Sequence, residues 1–299
     1  MPNPTAKLVD AAVARATRRE STALGSKIQY WVYPATEPSL GTIVMFHGYR
    51  GTHEGVEAIV GALPDFDLIV PDLPGYGHSE PLVKKHSIDN YLEWADAWLP
   101  TLNLAEKPIM MGHSFGTLLV AGQGARNQGS ARARILLNAV SEPAMEGTRR
   151  VLLRLTWLFY RFANLLPARI AQRVLNFKLL IRVMSDVTTK SKDKAFRHWI
   201  YVQHLTHFGT FANKRVVVEG FDASISRTIV DYSASILEPT LIVAGSEDEV
   251  TAVEGQEKAV KTFKDARLEV IGHVGHLTHY ETPDIVADAV RRFVKSLAK

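Results

Sequence analysis

The sequence predicts an α/β fold: a largely parallel sheet covered by helices on both faces, with a block of helices inserted between two of its strands. Three observations lead there. Short apolar runs alternate with helical patterns through the first half of the chain, which is how strands buried on both faces read. That rhythm stops at Ser141 and resumes at Pro239. A serine lies between two glycines, Gly112-His113-Ser114-Phe115-Gly116, where one apolar run gives way to a helical pattern.

In chain order, residues 1–25 are expected to form an N-terminal helical extension. Charges within Thr5 to Ala14 deny it the apolar core of a signal peptide. Lys27 to Tyr33, Thr42 to Phe46 and Leu68 to Val70 are rich in β-branched and aromatic residues and read as strands. Helical patterns fill the gaps, from Glu54 to Leu63 and from Ser87 to Trp98, the second starting on a capping serine. Lys107 to Met111 is the strand that leads into Ser114, and Thr117 to Ala121 begins the helix that leaves it. Arg134 to Val140 is a further buried strand.

The interval that follows reads as helices, including Arg149 to Leu166, Ala168 to Val183 and Lys192 to Phe208. After it come a strand at Pro239 to Gly245, a helix over Thr251 to Phe263, a strand at Arg267 to Ile271 and a closing helix from Pro283 to Leu297. The expected organisation is one sheet domain made of 1–140 and 236–299, with 141–235 as a helical cap over the strand ends.

Composition limits the chemistry. With 46% hydrophobic and 22% charged residues in 299, the chain has ordinary globular usage. The absence of cysteine excludes disulfides, thiolate metal sites and a cysteine nucleophile. The apolar stretch Val151 to Leu166 is cut by Arg154 and Arg161, so no bilayer span is expected and a cytoplasmic protein is the default. Net charge is only +4, but Glu142 to Ser235 holds 15 Lys and Arg against 7 Asp and Glu. A solvated arginine-rich surface explains this plainly, and peripheral contact with anionic membrane is the sharper reading. No nucleic-acid motif accompanies the charge.

A serine hydroxyl needs a general base. His276 sits in a loop between the last strand and the last helix, where strand C-terminal ends converge; His273 and His279 are its local competitors. Asp248 follows the strand 240–244 and is the carboxylate expected to orient the imidazole, with Glu142 as the alternative acid. An oxyanion would draw on the backbone N–H of Phe115 and on that of Tyr49, in the glycine-bearing stretch Phe46-His47-Gly48-Tyr49-Arg50-Gly51. His47 at that strand end is expected to bond to nearby backbone. This chemistry needs no metal or cofactor.

Together these residues resemble the α/β-hydrolase superfamily, in the branch with a helical cap after the sixth strand. The likeness rests on His47-Gly48, on Asp72-Leu73-Pro74-Gly75-Tyr76-Gly77-His78-Ser79, on the stretch Gly112 to Gly116, on Gly245-x-x-Asp248, and on Gly275-His276 with Glu281-x-Pro283. One departure is Thr117, where many relatives carry a second glycine. The resemblance implies a mostly parallel eight-stranded sheet and a triad of Ser114, Asp248 and His276. Serine at the nucleophile position separates the chain from relatives that attack with aspartate, and implies cleavage of a carboxylic ester through an acyl-serine. Carbon–carbon bond hydrolysis of a vinylogous diketone, acyl transfer to an alcohol and a non-catalytic binding protein are the alternatives.

Val151 to Phe162 is apolar around most of a helix, with Arg150, Arg154 and Arg161 near one stripe. It reads as cap core, or as a lid that binds the acyl chain of a lipid-like ester of medium or long chain. Trp157 is accordingly placed in the substrate pocket with His47, Gly48 and His113.

Overall fold

A computed structural model describes residues 3–143 and 150–297. In chain order the elements are α1 (Pro4–Arg15), β1 (Thr17–Ala23), β2 (Ser26–Tyr33), β3 (Thr42–Phe46), α2 (Glu57–Gly61), β4 (Asp67–Pro71), α3 (Ile88–Trp98), β5 (Ile109–His113), α4 (Phe115–Arg126) and β6 (Ala133–Leu137). Helices α5 (Arg150–Leu165), α6 (Ala168–Leu175), α7 (Lys178–Thr188), α8 (Lys194–His207), α9 (Lys214–Ser224) and α10 (Val230–Ser233) follow. The chain closes with β7 (Thr240–Gly245), α11 (Val253–Ala259), β8 (Ala266–Ile271), α12 (Thr278–Glu281) and α13 (Pro283–Ser296).

The eight strands form one sheet in the order β1-β2-β4-β3-β5-β6-β7-β8, antiparallel at β1/β2 and β2/β4 and parallel elsewhere. Alternation along each strand sorts the core into two layers. Val44, Phe46, Met110, Leu136 and Ile242 pack on the side of α3 and α4. Ile43, Met45, Met111, Leu137 and Val243 pack on the other side, with α2 and α13. The central strands are thus buried on both faces, which explains their unbroken apolar sequences. Among the described residues no helix is long and apolar enough to cross a membrane.

Two expectations need correction. The N-terminal segment is helical only over Pro4–Arg15, and Thr17–Ala23 is the edge strand β1. Its sequence TRRESTA lacks apolar alternation because six of its seven residues are not buried and only β2 pairs with it. The signal lay in the hairpin turn, where Leu24 and Gly25 both take positive φ (49° and 81°), as a two-residue I′ turn demands. The helix expected over Ala168 to Val183 is two helices, broken at Asn176-Phe177. There the Asn176 side chain accepts from the Arg50 guanidinium (3.2 Å) and donates to the Gly209 carbonyl (3.4 Å), tertiary contacts that no helical periodicity reports.

A buried ion pair ties the return from the helical block to the sheet. Arg134 on β6 reaches Glu238, just before β7, at 2.8 Å, and donates to the Val120 carbonyl and Gln123 on α4 (both 2.9 Å). Removing one partner leaves the other charge buried and alone. Glu238→Ala is expected to destabilise the protein by about 3 kcal/mol or more, read from urea denaturation, and Arg134→Met added to it should restore much of the loss.

Candidate active site

Five strand ends meet at one rim, as loops at the C-terminal edge of a parallel sheet do. His47 follows β3, Ser114 follows β5, Asn138 follows β6, Asp248 follows β7 and His276 follows β8. Ser114 sits between β5 and α4 at φ 52°, ψ −119°, a conformation that a serine holds only under constraint. The flanking glycines make it attainable: a Cβ on Gly112 would strike the Gly116 carbonyl, and one on Gly116 would strike the Phe46 carbonyl. Thr117, the departure from the usual glycine, donates its hydroxyl to the Ser114 carbonyl (2.5 Å) and accepts from the Val140 N–H (3.3 Å).

Ser114 Oγ lies 2.9 Å from His276 Nε2, and His276 Nδ1 lies 2.9 Å from Asp248 Oδ2. The ionised carboxylate accepts from Nδ1–H, which leaves Nε2 to accept from the serine hydroxyl. The same carboxylate accepts from the N–H groups of Val250 (2.7 Å) and Thr251 (2.9 Å), from the Thr251 hydroxyl (2.6 Å) and from Asn138 Nδ2 (2.9 Å). Burial opposes ionisation of Asp248, but the adjacent His276 and the Thr251 donors outweigh it and hold its pKa well below the ordinary carboxylate value. The arrangement can take a proton from Oγ and stabilise the imidazolium that results.

The competing assignments fall elsewhere. Glu142 pairs with Lys258 at 3.6 Å, and His273 is exposed beside Glu247. His279 is buried against the His113 ring, 4.0 Å between centroids, and burial drives its pKa well below that of a free imidazole. His47 is fully occupied by backbone: Nδ1–H donates to the Gly48 carbonyl (2.8 Å) and Nε2 accepts from the Leu73 N–H (2.9 Å). His113 donates Nε2–H to the His276 carbonyl (3.0 Å), which helps fix the loop carrying His276.

The loop after β3 crosses directly over the serine. A Cβ on Gly48 would stand 3.3 Å from Ser114 Cβ and 3.1 Å from His113 Nδ1, so a larger residue there would push these neighbours by a few tenths of an ångström, and glycine lets the Gly48–Tyr49 peptide lie close without that shift. Phe115 heads α4, where the first N–H groups have no partner within the helix. The Tyr49 side chain donates to the Val217 carbonyl on α9 (2.7 Å). Next to it, Arg50 takes φ 58° and sends its buried guanidinium to the carbonyls of Phe208 (3.2 Å) and Leu175 (3.1 Å).

A cavity of about 180 Å³ opens at Ser114. His47, Gly48, His113 and His276 line it from the sheet, and Ile181, Met184, His204 and His207 from α7 and α8. Trp157 is not among its walls, contrary to the expectation from sequence: it packs half-buried on the core with the Arg161 guanidinium 4.9 Å over its ring. Sequence reading also missed Asn138 and Thr251. Asn138 takes φ 49° at the end of β6 and spans Asp248, the Gly275 carbonyl (3.2 Å) and the Thr278 hydroxyl (2.6 Å). An asparagine directly after the apolar run Ile135-Leu136-Leu137 was the available signal. Glu281, whose motif was legible, accepts from the N–H groups of Lys190 (2.9 Å) and Gly275 (3.3 Å), joining the histidine loop to the segment after α7.

Four buried histidines, His47, His86, His113 and His279, have pKa values lowered chiefly by burial, to about 4 for His86 and about 3 for His113. They stay neutral in the folded protein while the unfolded chain protonates below the ordinary value of 6.5. Glu57, raised by burial to about 7, acts in the opposite direction. Asp96 and Glu281, raised by burial, and His78, raised by its hydrogen bond to Asp72, act with Glu57, whereas His204, lowered by burial to about 4, and His207, also lowered by burial, act with the four histidines. Six groups outweigh four, so stability present near neutral pH should fall as pH drops through the window from about 6.5 toward 4. The check is the urea midpoint measured across that window; a midpoint that is flat or rises on acidification contradicts the assignment.

Residues 41–283 match the family model described as alpha/beta hydrolase fold. Lipase 3 of Moraxella sp. (strain TA144) is 21% identical over 272 residues, covering 86% of this chain and 78% of that protein. Among solved structures, a membrane phospholipase A superposes with a TM-score of 0.77 at 15% identity, over 99% of this chain and 93% of that one. An esterase from Thermogutta terrifontis superposes with a TM-score of 0.75 at 19% identity, over 95% and 100%.

Proposed function

Because the chain belongs to the alpha/beta hydrolase family, we propose that it is a serine ester hydrolase working through an acyl-enzyme on Ser114. The observation that carries this reading is the continuous chain Ser114 Oγ, His276, Asp248, with 2.9 Å at both contacts and the ring nitrogens in the required roles. Two curated relatives, each 21% identical, are named as lipases, which supports ester chemistry.

In the proposed cycle Ser114 Oγ attacks the ester carbonyl while its proton passes to His276 Nε2. The imidazolium so formed faces the Asp248 carboxylate, and the carbonyl oxygen, now anionic, accepts from the N–H groups of Tyr49 and Phe115. Collapse expels the alcohol, which takes the proton from His276. Water then attacks the acyl-serine with His276 again as base, releasing the carboxylic acid and restoring Ser114. Asn138 and Thr251 act through Asp248, holding its carboxylate in the plane that the imidazole needs.

Helices α5 to α10 serve as the cap in this reading, with α7 and α8 forming the far wall of the cavity. Its volume of about 180 Å³ is below the roughly 300–1,000 Å³ of pockets that enclose drug-sized ligands. With these helices in place, a short acyl group fits better than the medium or long chain that the apolar cap helix suggested.

Two outcomes follow. Ser114→Ala should lower turnover at least about 10⁴-fold while the protein keeps its fold, and should abolish labelling by a fluorophosphonate probe. Retained esterase activity in that variant would refute the assignment. Across p-nitrophenyl esters in solution, kcat/KM should fall by at least about tenfold once the acyl chain outgrows the cavity, on the scale of a misfit methylene. A steady rise with chain length contradicts the size argument.

A further inference from the structure

Helices α5, α6 and α7 leave a concentrated set of large apolar side chains in water. Leu158, Phe162, Leu165, Ile170, Phe177 and Leu179 are all about half exposed or more, and Leu165 keeps 83% of its surface. Ile170, Phe177 and Leu179 line a groove of about 550 Å³ together with Phe159, Val174, Leu180, Val183 and Arg173. Patches of this kind on a soluble chain mark a surface that is covered in use.

The charge around the patch identifies what covers it. From Arg150 to Thr188 the chain has seven basic residues and one acidic residue, Asp186. Arg161 pairs with Asp222, and Arg182 with Asp186, each at 2.9 Å. Arg154, Arg169, Arg173 and Lys178 are exposed and make no ion pair among the described residues. The side chain of Arg150, named with them from sequence, lies outside the described residues. A second copy docked two-fold on this face would set these cations against each other. Apolar side chains interleaved with unpaired cations match a different partner, a surface that offers acyl chains beneath a layer of phosphates.

We propose that the outer face of α5–α7 docks on an anionic lipid bilayer, with Phe162, Leu165 and Phe177 inserted below the headgroups and the four unpaired cations on phosphates. This does not depend on the chemistry assigned to Ser114. It places the membrane on the back of α7, whose other face contributes Ile181, Met184 and Thr188 to the cavity wall. An ester carried in the bilayer would therefore approach the site across a single helix.

The test is co-sedimentation with vesicles of phosphatidylcholine alone or mixed with phosphatidylglycerol, using the wild type and Ser114→Ala so that lipid turnover does not confound binding. The expected result is sedimentation with the anionic vesicles that weakens as salt is raised. Leu165→Asp and Phe177→Asp should each lower the partition coefficient at least about tenfold, the scale of one buried apolar side chain. Both should leave hydrolysis of a soluble short ester unchanged, which shows that the fold is intact. The proposal is overturned if the wild type ignores anionic vesicles, binds neutral ones equally well, or sediments no better than the two variants. It is also overturned if light scattering shows a dimer without lipid that these variants dissolve.

Discussion

The close approach of β5, the start of α4 and the end of β3 is the constraint on which the rest of the site depends. No side chain fits between these backbones at Gly112 or Gly116, so Ser114 is forced into a left-handed conformation that costs roughly 1–3 kcal/mol and that packing on both sides sustains. Because the turn is rigid, the Cα–Cβ bond of Ser114 has one direction, and the loop carrying His276 meets Oγ from it at 2.9 Å. Gly48 extends the same logic to a third backbone: its bare Cα lets the loop after β3 lie against Ser114 and His113. The geometry is therefore set by the main chain, and the side chains complete it.

Desolvation does the complementary electrostatic work. The rim gathers histidines that burial keeps neutral, and among them stands one carboxylate, Asp248, kept ionised by its donors. A second buried carboxylate, Asp72, follows the same principle in a supporting role. It accepts from the N–H groups of His53 and His78 (both 2.8 Å) and from their rings, which hold it ionised against the cost of burial. That clamp shapes the loop whose Leu73 N–H orients His47, and His47 in turn abuts Gly48.

The parts legible in the sequence were those where local pattern and tertiary role coincide. Buried strands such as TIVMF and TLIVAG are apolar because both faces are covered, and the Gly-x-Ser-x-Gly turn needs its glycines wherever it occurs. Chain order and strand ends single out Ser114, Asp248 and His276, and the structure brings their side chains together in series, 2.9 Å at each contact. What was missed lacks a local signature. Strand β1 is polar because it is an exposed edge, the break at Asn176 answers to Arg50 from far along the chain, and Asn138 acts on a carboxylate 110 residues away. Trp157 was drawn toward the pocket by its chemistry alone, and packing put it elsewhere.

Tyr49 and Arg50 join the rim to the helices above it: one reaches α9 through its hydroxyl, and the other reaches the end of α6 and the residue after α8 through its guanidinium. The helical block between β6 and β7 is for this reason not a detachable module. Exchanging it for the corresponding segment of a relative would change substrate access and, in the same step, remove the anchors of the loop that lies over Ser114. Because the acceptors are main-chain carbonyls, side-chain substitution within the block leaves these anchors in place, whereas any shift of α6, α8 or α9 against the sheet is passed directly to the loop over Ser114.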